Sequence, residues 1–302
     1  SANTNFSQMA FSASEVLGDK NLRETWKKQI IHKENTAEHI SQPVVTAGAT
    51  HALNIASKIF IDESDEIIIP DLYWQNYDII FNKKQFVKYS LFDENNELNL
   101  NSLSGLLLWT NQKKVLVLNF PHNPTGYNVS ETELKYLCNE LKKSCLGGNS
   151  IVVILDNCYE NFSYETENLQ ASLFERLADL DKNLIAIKCD SFLKRSFIGW
   201  VRIGFLTFWF KGADRNILES IENKIGYRIL STIWNISHLD QVLVDETLNA
   251  PTYPKEFQKN YNTIKERYKN IKKFIQSEDK FKKYFFAGGV LGGGANFPPL
   301  LF

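Results

Sequence analysis

The chain has 302 residues, enough for a large core, with the hydrophobic content (43%) and charged content (23%) of an ordinary globular protein. A formal net charge of −1 argues against nucleic acid or an anionic membrane as the main partner. No apolar run reaches the length of a membrane span, and the opening residues lack a basic segment followed by an apolar one, so the reading places the chain in the cytoplasm. The four cysteines, Cys138, Cys145, Cys158 and Cys189, show no metal-binding spacing and fit a reducing compartment as small buried residues.

Residues 1–17 are weakly patterned. From Gly18, Leu22, Trp26, Ile30 and Ile31 fall at helical spacing between charges, which predicts an amphipathic helix. Pro43 and Val44 lead into the small-residue turn Thr46 to Thr50, after which Ala52, Leu53, Ala56, Ile59 and Phe60 follow a helical period. A turn of that kind, opening a helix, offers free backbone N–H groups at the positive end of the helix dipole, and Thr50 adds a hydroxyl. A plain helix cap is the alternative. Asp65 to Pro70 reads as a short buried strand, followed by Tyr73, Trp74 and Tyr77 on a loop, an aromatic cluster suited to hinge packing or to a flat ring. A strand and a helix are expected across 83–111, around the polar loop Phe92 to Asn99.

Val115 to Phe120 is a strand, and a turn built on Pro121, Asn123, Pro124 and Gly126 follows it. Ser130 and Glu133 form a capping-box pair that starts a helix. Ser150 to Leu155 is another buried strand, closed by Asp156 with Tyr159 just after. Two apolar runs, Leu184 to Ile187 and Ile203 to Phe208, then flank a polar segment holding Ser191, Lys194, Arg195 and Arg202, with Gly199 and Gly204 as flexible points. A lysine between buried strands is partly desolvated, which lowers its pKa and makes its amine nucleophilic near neutral pH. Strand and helix alternate from residue 44 to about 208, which predicts a mainly parallel sheet with helices on both faces. Ligands in such sheets bind beyond the carboxyl ends of strands, where Asn123, Asp156 and the segment Ser191 to Lys194 all fall. Beyond residue 211 the chain is helical, then ends in the glycine-rich FFAGGVLGGGANFPPLLF.

Five segments in this order, TAGAT at 46–50, YWQNY at 73–77, NPTG at 123–126, DNCY at 156–159 and SFLKRSFIGWVRIG at 191–204, resemble the pyridoxal-phosphate enzymes of the aspartate-aminotransferase fold type, the class I/II aminotransferases. The resemblance spans residues 18 to 250. It implies a three-layer α/β/α large domain around a mainly parallel sheet, with a smaller, incomplete C-terminal α/β domain. The expected division is an N-terminal segment and helix at 1–43, a cofactor domain at 44–235 and part of the small domain at 236–302. It implies that Lys194 forms the Schiff base with pyridoxal 5'-phosphate and then moves the proton between substrate Cα and the cofactor's C4′. Asp156 pairs with the pyridine nitrogen, Tyr159 and Asn123 donate to the phenolic oxygen, and Trp74 stacks on the ring. The phosphate falls to Gly48, to the Ala49 and Thr50 amides, to the Thr50 and Ser191 hydroxyls and to Arg202, whose planar fork suits it.

The resemblance further implies a cytoplasmic homodimer acting on an amino acid and a 2-oxo acid. Arg228, with Asn123, is the candidate substrate contact, Arg228 reaching into the partner's site as in dicarboxylate-specific relatives, with a structural helix arginine as the alternative. Another reaction on the same cofactor (lyase, decarboxylase or racemase) and a non-catalytic cofactor-binding protein are the alternatives for function. The family's substrate-carboxylate arginine in the small domain has no counterpart after Arg267, nor does its partner-subunit tyrosine, the first tyrosine being Tyr73. The expectation is therefore a small domain cut short. His51 and His122 read as hydrogen-bonded loop histidines. Arg195 either lowers the Lys194 pKa by repulsion or faces solvent.

Overall fold

The computed structural model describes residues 15–31, 39–82, 86–95, 97–108, 112–164, 169–197 and 201–277. The expected flexible point at Gly199 and the glycine-rich end lie outside these residues, as does most of the segment 1–17. Seven strands form one sheet: β1 (Val44–Thr46), β2 (Ile67–Pro70), β3 (Phe86–Tyr89), β4 (Lys113–Asn119), β5 (Ser150–Asp156), β6 (Leu184–Ser191) and β7 (Gly204–Trp209). Their order is β1-β7-β6-β5-β4-β2-β3. Pairs from β3 through β6 are parallel, whereas β7 runs antiparallel to both β6 and β1. The sheet is thus mainly parallel, with a single reversed strand. The central strands are buried end to end, Val115 to Leu118 and Ile151 to Leu155, as a sheet covered on both faces requires.

The helices supply that cover. In α1 (Lys20–Ile30), Leu22, Trp26 and Ile30 are buried on one stripe, and Asp19 caps the start by accepting from the Asn21 and Leu22 amides. Helix α2 (Ala49–Phe60) packs on β5, β6 and β7. After the short α3 (Tyr77–Ile80) come α4 (Leu100–Leu107) and α5 (Glu131–Leu146), the latter opened by the Ser130–Glu133 capping box read from the sequence. Helix α6 (Leu169–Ala178) lies on β6. Past the short α7 (Phe192–Arg195), the chain runs through α8 (Arg215–Leu230), α9 (His238–Asn249) and α10 (Tyr253–Ser277). Helix α9 packs back on α1, where the buried Gln241 accepts from the Asp19 amide at 2.7 Å.

Two local expectations need correction. The strand ending in the lysine segment does not stop at Ile187 but continues to Ser191, carrying Lys188 and Asp190 into the interior. Charged residues end an apolar run in sequence, but here each meets an opposite charge, which offsets part of the cost of burial. Lys194 sits in the single helical turn α7 rather than on an open loop. Among the described residues, no helix is long and apolar enough to cross a membrane.

Candidate active site

The carboxyl ends of β4, β5 and β6 and the start of α2 lie at one edge of the sheet, on one side of the point where the strand order reverses between β2 and β4. Asp156 closes β5 and is 4% exposed. Its Oδ2 accepts the Tyr77 hydroxyl at 2.6 Å and its Oδ1 accepts the Cys158 amide at 3.3 Å. It makes no ion pair among the described residues. Burial pushes the Asp156 carboxyl above the ordinary range, and the bonds from Tyr77 and Cys158 only partly offset that. Tyr77 was legible in sequence only as part of an aromatic cluster. It is buried, with the half-buried Trp74 edge-on to its ring at 5.6 Å between centroids.

Asn119 ties the neighbouring turn to this carboxylate. Its Nδ2 donates to the Asp156 carbonyl at 2.8 Å, and its Oδ1 accepts the Asn123 amide at 2.7 Å. Asn123 itself is half-buried. In the same turn, His122 is buried, with Nδ1 2.8 Å from the Thr125 hydroxyl oxygen. Burial pushes its pKa down to about 4, so it is neutral at pH 7. This histidine is the hydrogen-bonded loop residue expected. His51 differs in lying in the first turn of α2, where its Nδ1 accepts the Ala47 amide at 3.1 Å.

Lys194 faces Tyr159, its Nζ lying 5.4 Å from the centre of the phenol ring. Both side chains are half-buried. Burial lowers the Lys194 pKa, the Cys158 thiol works in the opposite direction, and Arg202 adds to the lowering. Burial also pushes the Tyr159 hydroxyl up to about 12, with Cys158 and Asp156 contributing. Arg195 does neither thing expected of it. It is 18% exposed at the side chain and bonded to Glu160 at 2.9 Å, and the cation that bears on Lys194 is Arg202.

Arg202 closes the other end of the site. A Cβ built on Gly48 would lie 3.4 Å from Arg202 Nη2, so the guanidinium rests against the glycine at the start of α2. Gly48 has φ +85°, a left-handed backbone that favours glycine, and no side chain caps that helix. That leaves the Ala49 and Thr50 amides without a side-chain cap beside a guanidinium, an arrangement that can hold an anion. Thr50 is exposed and Ser191 is buried at the end of β6. Ser191 pairs across to Gly204, where a Cβ would meet the Gly48 carbonyl carbon at 2.5 Å, so glycine there lets the cradle close on the strand end. Arg228 is not part of this grouping. It lies exposed on the last turn of α8 and does not act on Lys194, Asp156 or Tyr159.

Sequence reasoning missed a second group, made of residues close to Tyr159 and Ser191 in the chain. Lys188, Glu160 and Asp190 are each almost wholly buried, with Lys188 Nζ 3.2 Å from Glu160 and 3.4 Å from Asp190. Asp190 also accepts from Asn157 at 3.2 Å and from the Trp26 indole at 3.3 Å. Burial works to raise the Glu160 carboxyl, but Lys188 and Arg195 overcome it and hold it well below the usual carboxylate range. Among the described residues no group of three or more His, Cys, Asp or Glu side chains is arranged to hold a metal ion.

Comparison with known proteins identifies the family. The model of the family "Aminotransferase class I and II" matches residues 8–282. The chain is 28% identical over 233 residues to the aspartate aminotransferase of Bacillus subtilis, covering 74% of this chain and 54% of that protein. It is 33% identical over 195 residues to a probable aspartate/prephenate aminotransferase of Aquifex aeolicus, covering 63% and 46%. It thus spans about half the length of the curated relatives it matches. The fold is that of a mitochondrial aspartate aminotransferase from Trypanosoma brucei, with a TM-score of 0.77, 21% identity and coverage of 88% of this chain and 70% of that one. It is also that of an aromatic-amino-acid aminotransferase from Burkholderia pseudomallei covalently bound to pyridoxal phosphate, with a TM-score of 0.74, 16% identity and coverage of 90% and 68%. With the family model matching most of its length on a sheet of the same fold, the chain belongs to the class I and II aminotransferases.

Proposed function

We propose that this chain is the cofactor-binding part of a cytoplasmic, pyridoxal 5'-phosphate-dependent aminotransferase that moves an amino group between an amino acid and a 2-oxo acid. The observation that carries the reading is Asp156, a buried carboxylate with no ionic partner among the described residues, on the same sheet edge as a partly desolvated lysine and an uncapped helix N-terminus. That set fits the cofactor's three demands, a carboxylate for its pyridine nitrogen, an amine for its aldehyde and a cradle for its phosphate. When bound, the cofactor supplies a conjugated ring that takes up the negative charge left at the substrate Cα.

The residues then divide the work. Asp156 holds the proton on the pyridine nitrogen, with Tyr77 fixing the carboxylate from behind. Lys194 would hold the aldehyde carbon, and its amine would serve as the group that moves the proton between the substrate Cα and C4′. Tyr159 and Asn123 donate to the phenolic oxygen, and Trp74 covers the ring. Gly48, the amides of Ala49 and Thr50, the hydroxyls of Thr50 and Ser191, and Arg202 take the phosphate. The domain division at 43/44 and 235/236 belongs to the same proposal, supported by the strands of the described residues, which all fall within 44–209.

A homodimer is proposed on the end of α8 and the turn after it. Tyr227 (71% exposed), Trp234 (70%) and Ile233 (44%) lie near Arg228 in the chain and are uncovered apolar side chains, so that a second copy covering them would bring that arginine toward a substrate carboxylate. The four free cysteines support the cytoplasmic placement. The test is a screen of dicarboxylic, aromatic and neutral amino donors with 2-oxoglutarate or pyruvate, in protein supplied with pyridoxal phosphate. The expected result is a new keto acid from wild type and none from Lys194→Ala. A donor-dependent colour change with no keto acid identifies a lyase, decarboxylase or racemase instead. Arg228→Ala is expected to weaken dicarboxylic donors selectively, and equal loss with neutral donors removes its role.

A further inference from the structure

Two residues assigned to the reaction are each followed in sequence by a residue that turns back into the protein, and these two meet. Tyr159 precedes Glu160, and Lys194 precedes Arg195. Glu160 Oε2 accepts from Arg195 at 2.9 Å while its Oε1 accepts from Lys188 on β6 at 3.2 Å. The Arg195 carbonyl accepts from Asn161 Nδ2 at 3.2 Å, and Phe162 meets Phe197 edge-on at 5.4 Å. The Arg195 guanidinium lies over the ring of Trp26, 5.0 Å from its centre. The single turn of α7 is too short to fix its own side chains by helix hydrogen bonding. These contacts with the turn 159–162 hold it instead.

We propose that Glu160 and Arg195 form a positioning bridge that locks the Lys194 turn onto the Tyr159 turn, so that the Lys194 amine is held facing the Tyr159 phenol. The assignment rests on the pyridoxal-phosphate reading above. Glu160 is 4% exposed and carries one cation on each oxygen, so it is a fixed point to which both turns attach. Lys188 and Asp190 keep the group neutral overall, two cations against two carboxylates, which allows it to be buried. Neither bridge residue reaches the reacting atoms, and the effect is exerted through the residue next in the chain.

The test uses Arg195→Gln, which breaks the bridge and leaves the Lys188 pairs with Glu160 and Asp190 intact, and Arg195→Lys, which keeps a cation for Glu160. Trp26→Phe is the packing control, since it deletes the indole bond to Asp190 and keeps a ring beneath Arg195. Apo protein is mixed with pyridoxal phosphate, and the rate of capture on Lys194 is read as a borohydride-stable adduct. kcat and KM are then measured on the best donor. Arg195→Gln is expected to slow capture and lower kcat by about tenfold to a hundredfold with little change in KM, the size expected for a misplaced reacting group. Arg195→Lys is expected to recover most of the loss, and Trp26→Phe to lower stability without slowing capture. If wild type captures the cofactor and folded Arg195→Gln does so equally fast, the positioning role falls and the cofactor reading stands. If Trp26→Phe slows capture as much as Arg195→Gln, or Arg195→Gln is recovered only unfolded, the bridge is packing alone. If wild type itself captures nothing on Lys194, both readings fall.

Discussion

Two buried carboxylates, Asp156 and Glu160, stand four residues apart on the same side of the sheet and are treated in opposite ways. Glu160 is neutralised by Lys188 and Arg195, and its carboxyl is held low. Asp156 has a phenol, a backbone amide and a thiol around it, and burial leaves its carboxyl raised. Burying a charge is costly unless it is paired, so the compensated carboxylate fixes the turns around it, and in the proposed reading the uncompensated one is the place for a ligand that brings the missing positive charge. The contrast separates a ligand-facing role from a positioning one at two residues that exposure alone makes look alike.

The sharpest way to break it is to exchange the consequences. Asp156→Asn is expected to lower turnover by about 10²–10³-fold, the scale of removing one electrostatic partner from a reacting charge. In urea its stability should stay within about 1 kcal/mol of wild type, because only the long Cys158 amide bond is lost. Glu160→Gln should do the reverse in the denaturation experiment, losing about 3–5 kcal/mol, since Lys188 and Arg195 are left with one carboxylate between them. Equal stability losses in the two variants would erase the distinction.

A smaller effect lies in acid. The folded pKa of His122, about 4, is depressed below its ordinary value of 6.5, so the unfolded chain binds the extra proton first as pH falls. Its contribution is whole above about pH 6.5 and is lost progressively down to about pH 4, some 3 kcal/mol at most. The low carboxyl of Glu160 acts in a separate window, its contribution disappearing below the ordinary carboxylate range. Urea midpoints at pH 7 and pH 5 should therefore differ less in His122→Asn than in wild type, and an unchanged difference would remove the assignment. Smaller again, Gly204→Ala should cost about 1–3 kcal/mol, because its methyl would meet backbone at Gly48 and at the Asp190 carbonyl oxygen, neither of which can swing away.

The strands were legible in the sequence, because continuous apolar runs such as Val115 to Leu118 and Ile151 to Leu155 carry the strand signal, and Asp156 at the end of the second marks the edge of the sheet. The capping box at Ser130 was legible for the same local reason. What was not legible is pairing between distant residues. Lys188 and Asp190 look like the end of a strand unless Glu160, 28 residues away from Lys188, is known to lie opposite. Tyr77 looks like aromatic packing until its hydroxyl is seen on Asp156, 79 residues on. Arg195 was misread because its neighbour in sequence, Lys194, is not its neighbour in charge. Local patterns report periodicity, whereas the fate of a buried charge depends on long-range contacts that periodicity does not encode.

The central claim is that the Lys194 amine, opposite Tyr159 and above Asp156's edge of the sheet, is where the cofactor attaches. It is tested most directly by incubating the protein with pyridoxal phosphate, reducing with borohydride and mapping the modified peptide by mass. The account predicts one phosphopyridoxyl group, on Lys194, and none in Lys194→Ala. Modification of another lysine in place of Lys194, or spread over several surface lysines with Lys194 untouched, would contradict it.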